Sequence, residues 1–180
     1  PPARTPPLAL RPPSQSSGPA PVGGPTGGVV WCIALGGDRV IASDTARFSQ
    51  IFRRIGLAPD GGAIWFLTKR IGMAKAKELV FTGRFVKAQE ALALGIADRV
   101  VPDADVYSAA VEIAQQFANG PAIALRAAKQ AIDDGLELDL DSALRLETSL
   151  FAGLFGTDDQ KAGMASFNEN GPGKATFTGL

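Results

Sequence analysis

From Gly27 onward, glycines at the ends of apolar segments divide the chain into short pieces. This spacing of glycines limits the fold to helices and strands of modest length. The stretch "GGVVWCIALGGD" predicts a short apolar helix or a tight buried segment, and "RVIAS" at 39–43 predicts a buried strand. Further on, the stretches at 63–72 and 73–83 each end in glycine and predict two helices, and 87–95 predicts a third. The first part of the folded chain is therefore predicted to be a small α/β core.

The second half of the chain has the pattern of consecutive helices. The stretch "ADRVVPDAD" first supplies a short strand and a proline stop. Four helices then follow, separated by glycine, proline or aspartate signals, at 106–119, 122–134, 139–155 and 158–169. The overall fold class is α/β, with the strands confined to the first half.

Residues 1–21 differ in composition from the rest of the chain. They are rich in proline, glycine and serine and show neither helical nor strand periodicity. Such a segment buries too little apolar surface to offset its conformational entropy. We therefore expect a disordered or extended leader, with ordered structure beginning near Gly27.

Composition excludes several classes of site. Lysine and arginine number 18 and aspartate and glutamate number 18, so no basic surface for nucleic acid is indicated. The absence of histidine excludes Ser-His-Asp and Cys-His catalysis and removes the commonest metal ligand. The single cysteine, Cys32, forbids an internal disulfide. It also suits a reducing cytoplasm and cannot build a thiolate metal site, so we expect a cytoplasmic protein without a metal. Because no apolar run approaches the roughly 18 residues of a membrane span, we expect the protein to be soluble.

Four stretches of the chain occur in the order and at the spacing of one protein family. The stretch "VGGPTGGVVWCIALGGD" at 22–38 matches the pattern V-N-G-x-A-x-G-x-G-x-x-L-A-L-x-x-D without a gap. The others are "ARFSQIFRRIGLAPDGGAIWFL", "FTGRFVKAQEALALGIADRVVP" and "TDDQKAGMASFNENGPGKATFTG". Together they resemble the crotonase (enoyl-CoA hydratase/isomerase) family from about Val22 to the C-terminus.

The resemblance has consequences for organisation. It implies that 22–103 form the C-terminal part of a ββα spiral and that 104–180 form a helical region through which subunits associate as a homotrimer or hexamer. No counterpart of the family's first turns precedes Val22, so the chain is interpreted as an N-terminally truncated member. The resemblance also implies a coenzyme A thioester as substrate, without a bound cofactor.

The resemblance also implies where the thioester would bind. In the family, two backbone N–H groups hold the thioester oxygen, and one of them maps onto Val29. Valine stands at Val29 and Val30 where the family has smaller residues, and the bulk of Val30 would lie beside the acyl group. Lys174 falls where the family presents a cation to the phosphates of coenzyme A. The basic residues Arg53, Arg54, Lys69 and Arg70 are further candidates for those phosphates, or an ordinary solvated face.

The residues at the family's catalytic positions favour isomerisation over hydration. Family hydratases use two glutamates, and those positions hold Cys32 and Phe52, which cannot do this acid–base work. The stretch around Asp60 is similar to the branch that includes the epoxyphenylacetyl-CoA isomerase of phenylacetate catabolism. In that branch the working carboxylate lies in the turn "IGLAPDGG", which makes Asp60 the candidate for proton transfer.

The surroundings of Asp60 allow two interpretations. Apolar neighbours, with Leu57 and Trp65 as expected pocket walls beside Phe52, would raise the pKa of a carboxylate, and a helix N-terminus would lower it. Alternatively, Asp60 makes the turn and caps the following helix. Two further alternatives for the whole chain stay open: an enoyl-CoA hydratase, and a non-catalytic remnant that acts only through subunit association.

Overall fold

The computed structural model describes residues 18–27 and 29–180, with the backbone alone of Val29 and Val30. The chain separates into two compact units, the first ending at Val111 and the second running from Glu112 to Leu180. The boundary lies inside a helix, several residues beyond the division at 103 that the resemblance implied. Val106, the first residue of that helix, is buried, so the helix begins as part of the first unit's core.

Short strands of the first unit form two small sheets among the described residues. The sheets have the orders β1-β3-β6 and β2-β4-β5. All pairs are parallel except β4 with β5, which are antiparallel. The strand bounds are β1 Pro19–Val22, β2 Pro25–Gly27, β3 Arg39–Ser43, β4 Arg47–Ser49, β5 Val86–Lys87 and β6 Arg99–Val101. The predicted strand at 39–43 is confirmed, and it is the central strand of its sheet.

Strand β1 corrects the expected start of ordered structure. Pro19–Val22 pairs in parallel with β3, in the register Ala20 with Val40, although the sequence predicted disorder to residue 21 and structure from Gly27. Proline lacks the N–H that an interior strand needs, but it is tolerated in an edge strand. Because β1 is at the edge of its sheet, its two prolines do not interrupt the pairing. The part of the predicted leader at 1–17 lies outside the described residues.

Helix α1, Val29–Leu35, leads from β2 into β3 and ends at a pair of glycines. Trp31 and Cys32 are buried, and Trp31 packs on Phe48 of β4 with ring centroids 5.9 Å apart. After the helix, a Cβ on Gly37 would approach the Cβ of Ala20 to 2.9 Å. No side chain fits there, so this glycine allows strand β1 to lie close to the end of α1.

Helix α2, Ala63–Thr82, consists of two helical halves. Gly72 has φ 77° and ψ 162°, which is not helical, and it separates the halves. The two helices predicted at 63–72 and 73–83 are confirmed as these halves. Buried Leu67 and Leu79, one in each half, join the core around Trp31 and Phe48. This packing fixes the start of α2 against the sheets.

Three arginines of the first unit bind backbone carbonyl oxygens in other segments of that unit. Arg53 and Arg54 donate to the carbonyls of Thr82 and Gly83 at the end of α2, at 3.2 and 3.4 Å. Within the first half of α2, Arg70 donates to the carbonyl of Gly37 at 2.9 Å and forms an ion pair with Asp98 at 3.3 Å. These guanidinium groups therefore stabilise the fold.

The remaining helices complete both units. Helix α3 follows β5 in the first unit and confirms the helix predicted at 87–95. The helices predicted at 106–119, 122–134, 139–155 and 158–169 are confirmed to within two residues. The bounds are α3 Ala88–Leu94, α4 Val106–Ala118, α5 Ala122–Gly135, α6 Leu140–Leu154 and α7 Asp158–Asn170. Among the described residues, none of these helices has the length and hydropathy needed to cross a bilayer.

The chain end in the second unit is tied to the start of α7. The carboxylate of Asp159, which is 4% exposed, accepts hydrogen bonds from the backbone N–H groups of Thr178 and Gly179 at 2.7 and 2.9 Å. In return, the N–H groups of Asp158 and Asp159 both donate to the carbonyl oxygen of Leu180 at 3.1 Å. One buried carboxylate and one helix N-terminus thus anchor the segment that follows α7.

Candidate active site

The turn that carries Asp60 is shaped by two glycines. Gly61 and Gly62 have φ of 60° and 80°, in the left-handed region that side chains disfavour. Gly62 is the N-cap of α2, and no side chain accepts a hydrogen bond there. Asp60 contributes its backbone carbonyl, which accepts from the N–H of Ala63 at 3.1 Å. Asp60 thus makes the turn, but its carboxylate is exposed and does not cap the helix.

Helix α1 brings Cys32 to the same turn. A Cβ on Gly61 would lie 3.6 Å from the Cβ of Cys32, so the two segments are in contact. Burial raises the pKa of the Cys32 thiol, and the negative charge of Asp60 raises it further. Hydrogen bonds from the backbone N–H groups of Cys32 itself and of Ala63 oppose these effects without cancelling them. Near neutral pH the thiol is therefore neutral and is neither a base nor a thiolate nucleophile.

An open cleft of about 450 Å³ begins beside Asp60 and follows the first two turns of α2. Trp65, one of the predicted pocket residues, lines it. Phe52 and Leu57 do not line the cleft. They are joined to each other by a hydrogen bond from the Leu57 N–H to the Phe52 carbonyl at 3.1 Å. The side chain of Val30 lies outside the described part of the chain. The pocket roles of these last three residues stay predictions.

Sequence reasoning named Lys69 only as a candidate for the phosphates of coenzyme A and missed the other residues that line this cleft. Those residues are Pro59 and Gly62 in the turn and Ala63, Ile64 and Thr68 on the helix. Residues at i, i+1, i+4 and i+5 lie on one side of a helix. Ile64, Trp65, Thr68 and Lys69 have this spacing, and a helical-wheel projection starting at Ala63 would have grouped them.

The other predicted ligand contacts belong to segments other than the Asp60 turn. Arg53, Arg54 and Arg70 are engaged with backbone carbonyls, as described above, so the predicted basic cluster is divided by the fold. Lys174 is exposed in the second unit, in the segment anchored by Asp159. Val29 begins α1, and its role as an oxyanion donor stays a prediction. Among the described residues, no group of three potential metal-ligating side chains occurs.

We expect Cys32 to react slowly with a disulfide reagent such as DTNB. The thiol is 1% exposed, and its raised pKa lowers the thiolate fraction at any given pH. The rate should reach half its maximum above the ordinary cysteine pKa of about 8.5. Because Asp60 is one cause of the raised pKa, Asp60→Asn should move this midpoint to lower pH. Since Cys32 is the single cysteine, absorbance at a series of pH values measures it directly. A midpoint below the ordinary value, or one unmoved in the variant, would contradict the contact.

Known proteins resemble this chain in sequence over nearly all of its described length. Residues 20–179 match the family model described as enoyl-CoA hydratase/isomerase. The short-chain-enoyl-CoA hydratase of Clostridium acetobutylicum is 39% identical over 137 residues, which are 76% of this chain and 52% of that protein. A probable enoyl-CoA hydratase of Rhizobium meliloti is 41% identical over 135 residues, which are 75% and 52% of the two chains. The chain thus spans about half the length of these relatives.

Solved structures show the same similarity in three dimensions. An enoyl-CoA hydratase from Bacillus anthracis superposes with a TM-score of 0.81 and 32% identity. The match covers 87% of this chain and 60% of the Bacillus anthracis chain. A probable enoyl-CoA hydratase/isomerase from Mycobacterium abscessus has a TM-score of 0.87 and 25% identity, covering 96% and 66%. The arrangement of strands and helices around the Asp60 turn is therefore one found in complete proteins of this kind.

Proposed function

The chain belongs to the enoyl-CoA hydratase/isomerase family and has the crotonase fold of its structural neighbours, and from this premise we propose that it isomerises an enoyl-CoA by proton transfer through Asp60. The observation that carries the proposal is the environment of this carboxylate. It is exposed beside a cleft, and the helix behind it is capped by Gly62 without a side chain. The carboxylate is therefore available to a bound ligand.

The proposed step moves one double bond without a net change in composition. The Asp60 carboxylate removes a proton from the carbon next to the thioester carbonyl of a 3-enoyl-CoA. The electron pair of that C–H bond then forms a dienolate, whose negative charge lies largely on the thioester oxygen. The N–H of Val29 would donate to this oxygen, and such a donor is typically worth about 10²–10³ in rate. The protonated Asp60 returns the proton to the far carbon, which gives the 2-enoyl-CoA.

The protein positions groups for this step in simple ways. The left-handed glycines after Asp60 turn the chain sharply into α2, so Asp60 lies in the turn whose residues Pro59 and Gly62 line the cleft, and not on the helix itself. Cys32 packs beside this turn as a neutral group. A neutral thiol adds no charge beside the Asp60 carboxylate.

Hydration is the second candidate, and the names of the relatives favour it. The proteins from Clostridium acetobutylicum and Rhizobium meliloti are named as an enoyl-CoA hydratase and a probable one. Hydration requires a base that activates water and an acid that protonates the adjacent carbon. The neutral thiol of Cys32 and the half-buried ring of Phe52 supply neither at the positions where the family resemblance places glutamates. Asp60 alone would then have to do both.

Product analysis on matched substrates separates these reactions. We expect a 3-enoyl-CoA to be converted to its 2-enoyl isomer with no change in mass, as followed by chromatography and mass spectrometry. A 2-enoyl-CoA should gain water no faster than in a reaction without protein. Water addition as fast as isomerisation would favour the hydratase. If calorimetry detects no binding of either thioester and no turnover occurs, the non-catalytic remnant is the better description.

A further inference from the structure

The cleft beside Asp60 has an apolar wall formed by an aromatic side chain that is held in place. The ring of Trp65 meets the edge of the Phe66 ring at 90°, with centroids 5.0 Å apart. Even so, the Trp65 and Ile64 side chains are 47% and 49% exposed. Large apolar side chains that line a concave surface without being covered are typical of ligand sites. The wall is thus suited to an apolar group that enters from the Asp60 turn.

The far end of the same cleft is polar and positively charged. Thr68 and Lys69 line it, one turn beyond Ile64 and Trp65. The Lys69 ammonium lies 5.3 Å from the centre of the Trp65 ring, and this cation–π contact keeps the charge next to the cleft. Gly62 and Thr68 are six residues apart, which corresponds to about 9 Å along a helix. The cleft therefore runs from Pro59 and Gly62, which flank Asp60 in the turn, past an apolar wall, to a hydroxyl and an ammonium group.

From this sequence of groups we propose that the cleft binds the acyl part of the coenzyme A thioester and selects an acyl group that ends in a carboxylate. The inference rests on the proposed function. With the thioester near Asp60, the apolar middle of the acyl chain would lie on Trp65 and Ile64. Its terminal carboxylate would accept from the Lys69 ammonium and the Thr68 hydroxyl. A methyl-ended chain would make neither of these two polar contacts.

Binding of two unreactive thioesters tests the inference. The probes are a linear saturated acyl-CoA that ends in a carboxylate and the methyl-ended acyl-CoA with the same number of carbons. We expect isothermal calorimetry to give a tighter Kd for the carboxylate-ended probe by roughly two- to fivefold, the range for an exposed ionic contact. In Lys69→Met the two probes should bind equally. Lys69→Arg, which keeps the charge, should retain part of the preference, and added salt should reduce it.

A matched control and a second readout make the outcome unambiguous. Lys77→Met removes an exposed lysine of the same helix that does not line the cleft, so its preference should equal that of the unchanged protein. Equal binding of the two probes by the unchanged protein, or a preference that survives Lys69→Met, would overturn the inference. Because saturated thioesters cannot isomerise, the preference is measured independently of catalysis. An absence of turnover with an intact preference would therefore contradict the proposed reaction alone.

Discussion

Asp60→Asn is expected to lower kcat for isomerisation by about 10²–10⁴-fold, the usual contribution of a positioned acid–base group. Asparagine has nearly the same size but cannot take up the proton. The exposed carboxylate makes no side-chain cap to α2, so the substitution removes no contact that holds the helix. We therefore expect KM and the thermal unfolding temperature to change little. Initial rates with a 3-enoyl-CoA, measured over a range of substrate concentrations, give kcat and KM separately.

The matched control for this substitution is Asp134→Asn, which removes an exposed carboxylate from α5 in the second unit. It should leave kcat within a factor of two, since exposed surface substitutions rarely act on chemistry at a distance. A factor of two in rate corresponds to a change of about 0.4 kcal/mol in the activation free energy. Undiminished turnover in Asp60→Asn would remove the catalytic role and leave only the turn.

Asp159→Ala is expected to destabilise the protein by about 2–4 kcal/mol, because several hydrogen bonds to a buried charge are lost together. The carboxylate accepts from the N–H groups of Thr178 and Gly179 and from the Thr178 hydroxyl at 3.2 Å. Without it, both backbone donors lose their partner. Urea unfolding followed by circular dichroism gives the free energy. The segment after α7 should also become more sensitive to trypsin at Lys174.

Asp158→Ala is the neighbouring control. Asp158 is exposed and pairs with Lys161 at 3.1 Å on the surface of α7. Such pairs and charges near a helix N-terminus contribute up to about 1 kcal/mol, so this variant should unfold close to the unchanged protein. If Asp159→Ala loses no more stability than Asp158→Ala, the buried carboxylate does not anchor the chain end as the structure indicates.

Local sequence signals predicted the helices and the central strand well. Glycine after an apolar periodic segment ends a helix because it adopts the left-handed conformation at low cost, as at Gly83 and Gly95. Strand β3 was predictable because four residues of apolar or small character, 40–43, follow Arg39 between polar turns. Strand β1 was missed because its prolines resemble a linker. Only pairing with β3 at the sheet edge makes Pro19–Val22 a strand.

The candidate site was predictable in part. A carboxylate between proline and glycines, together with the family resemblance, pointed to Asp60. The contact between this turn and Cys32 depends on how α1 packs against the start of α2, which no local pattern contains. For the basic residues, by contrast, the sequence suggested a cluster that the structure does not form. Four basic residues look like one cluster in the sequence, but Arg53 and Arg70 bind carbonyls of different segments.

The sequence by itself determined the order of the helices, the central strand β3, the family and the carboxylate in the turn "IGLAPDGG", because each depends on residues close together in the chain. Tertiary structure alone decided that the Asp60 side chain does not cap α2, that Cys32 is buried beside this turn, and that Trp65 and Lys69 share a cleft with residues of the turn. Those facts depend on packing between distant segments. The free energy of such packing comes from the whole core, so short-range patterns do not specify it.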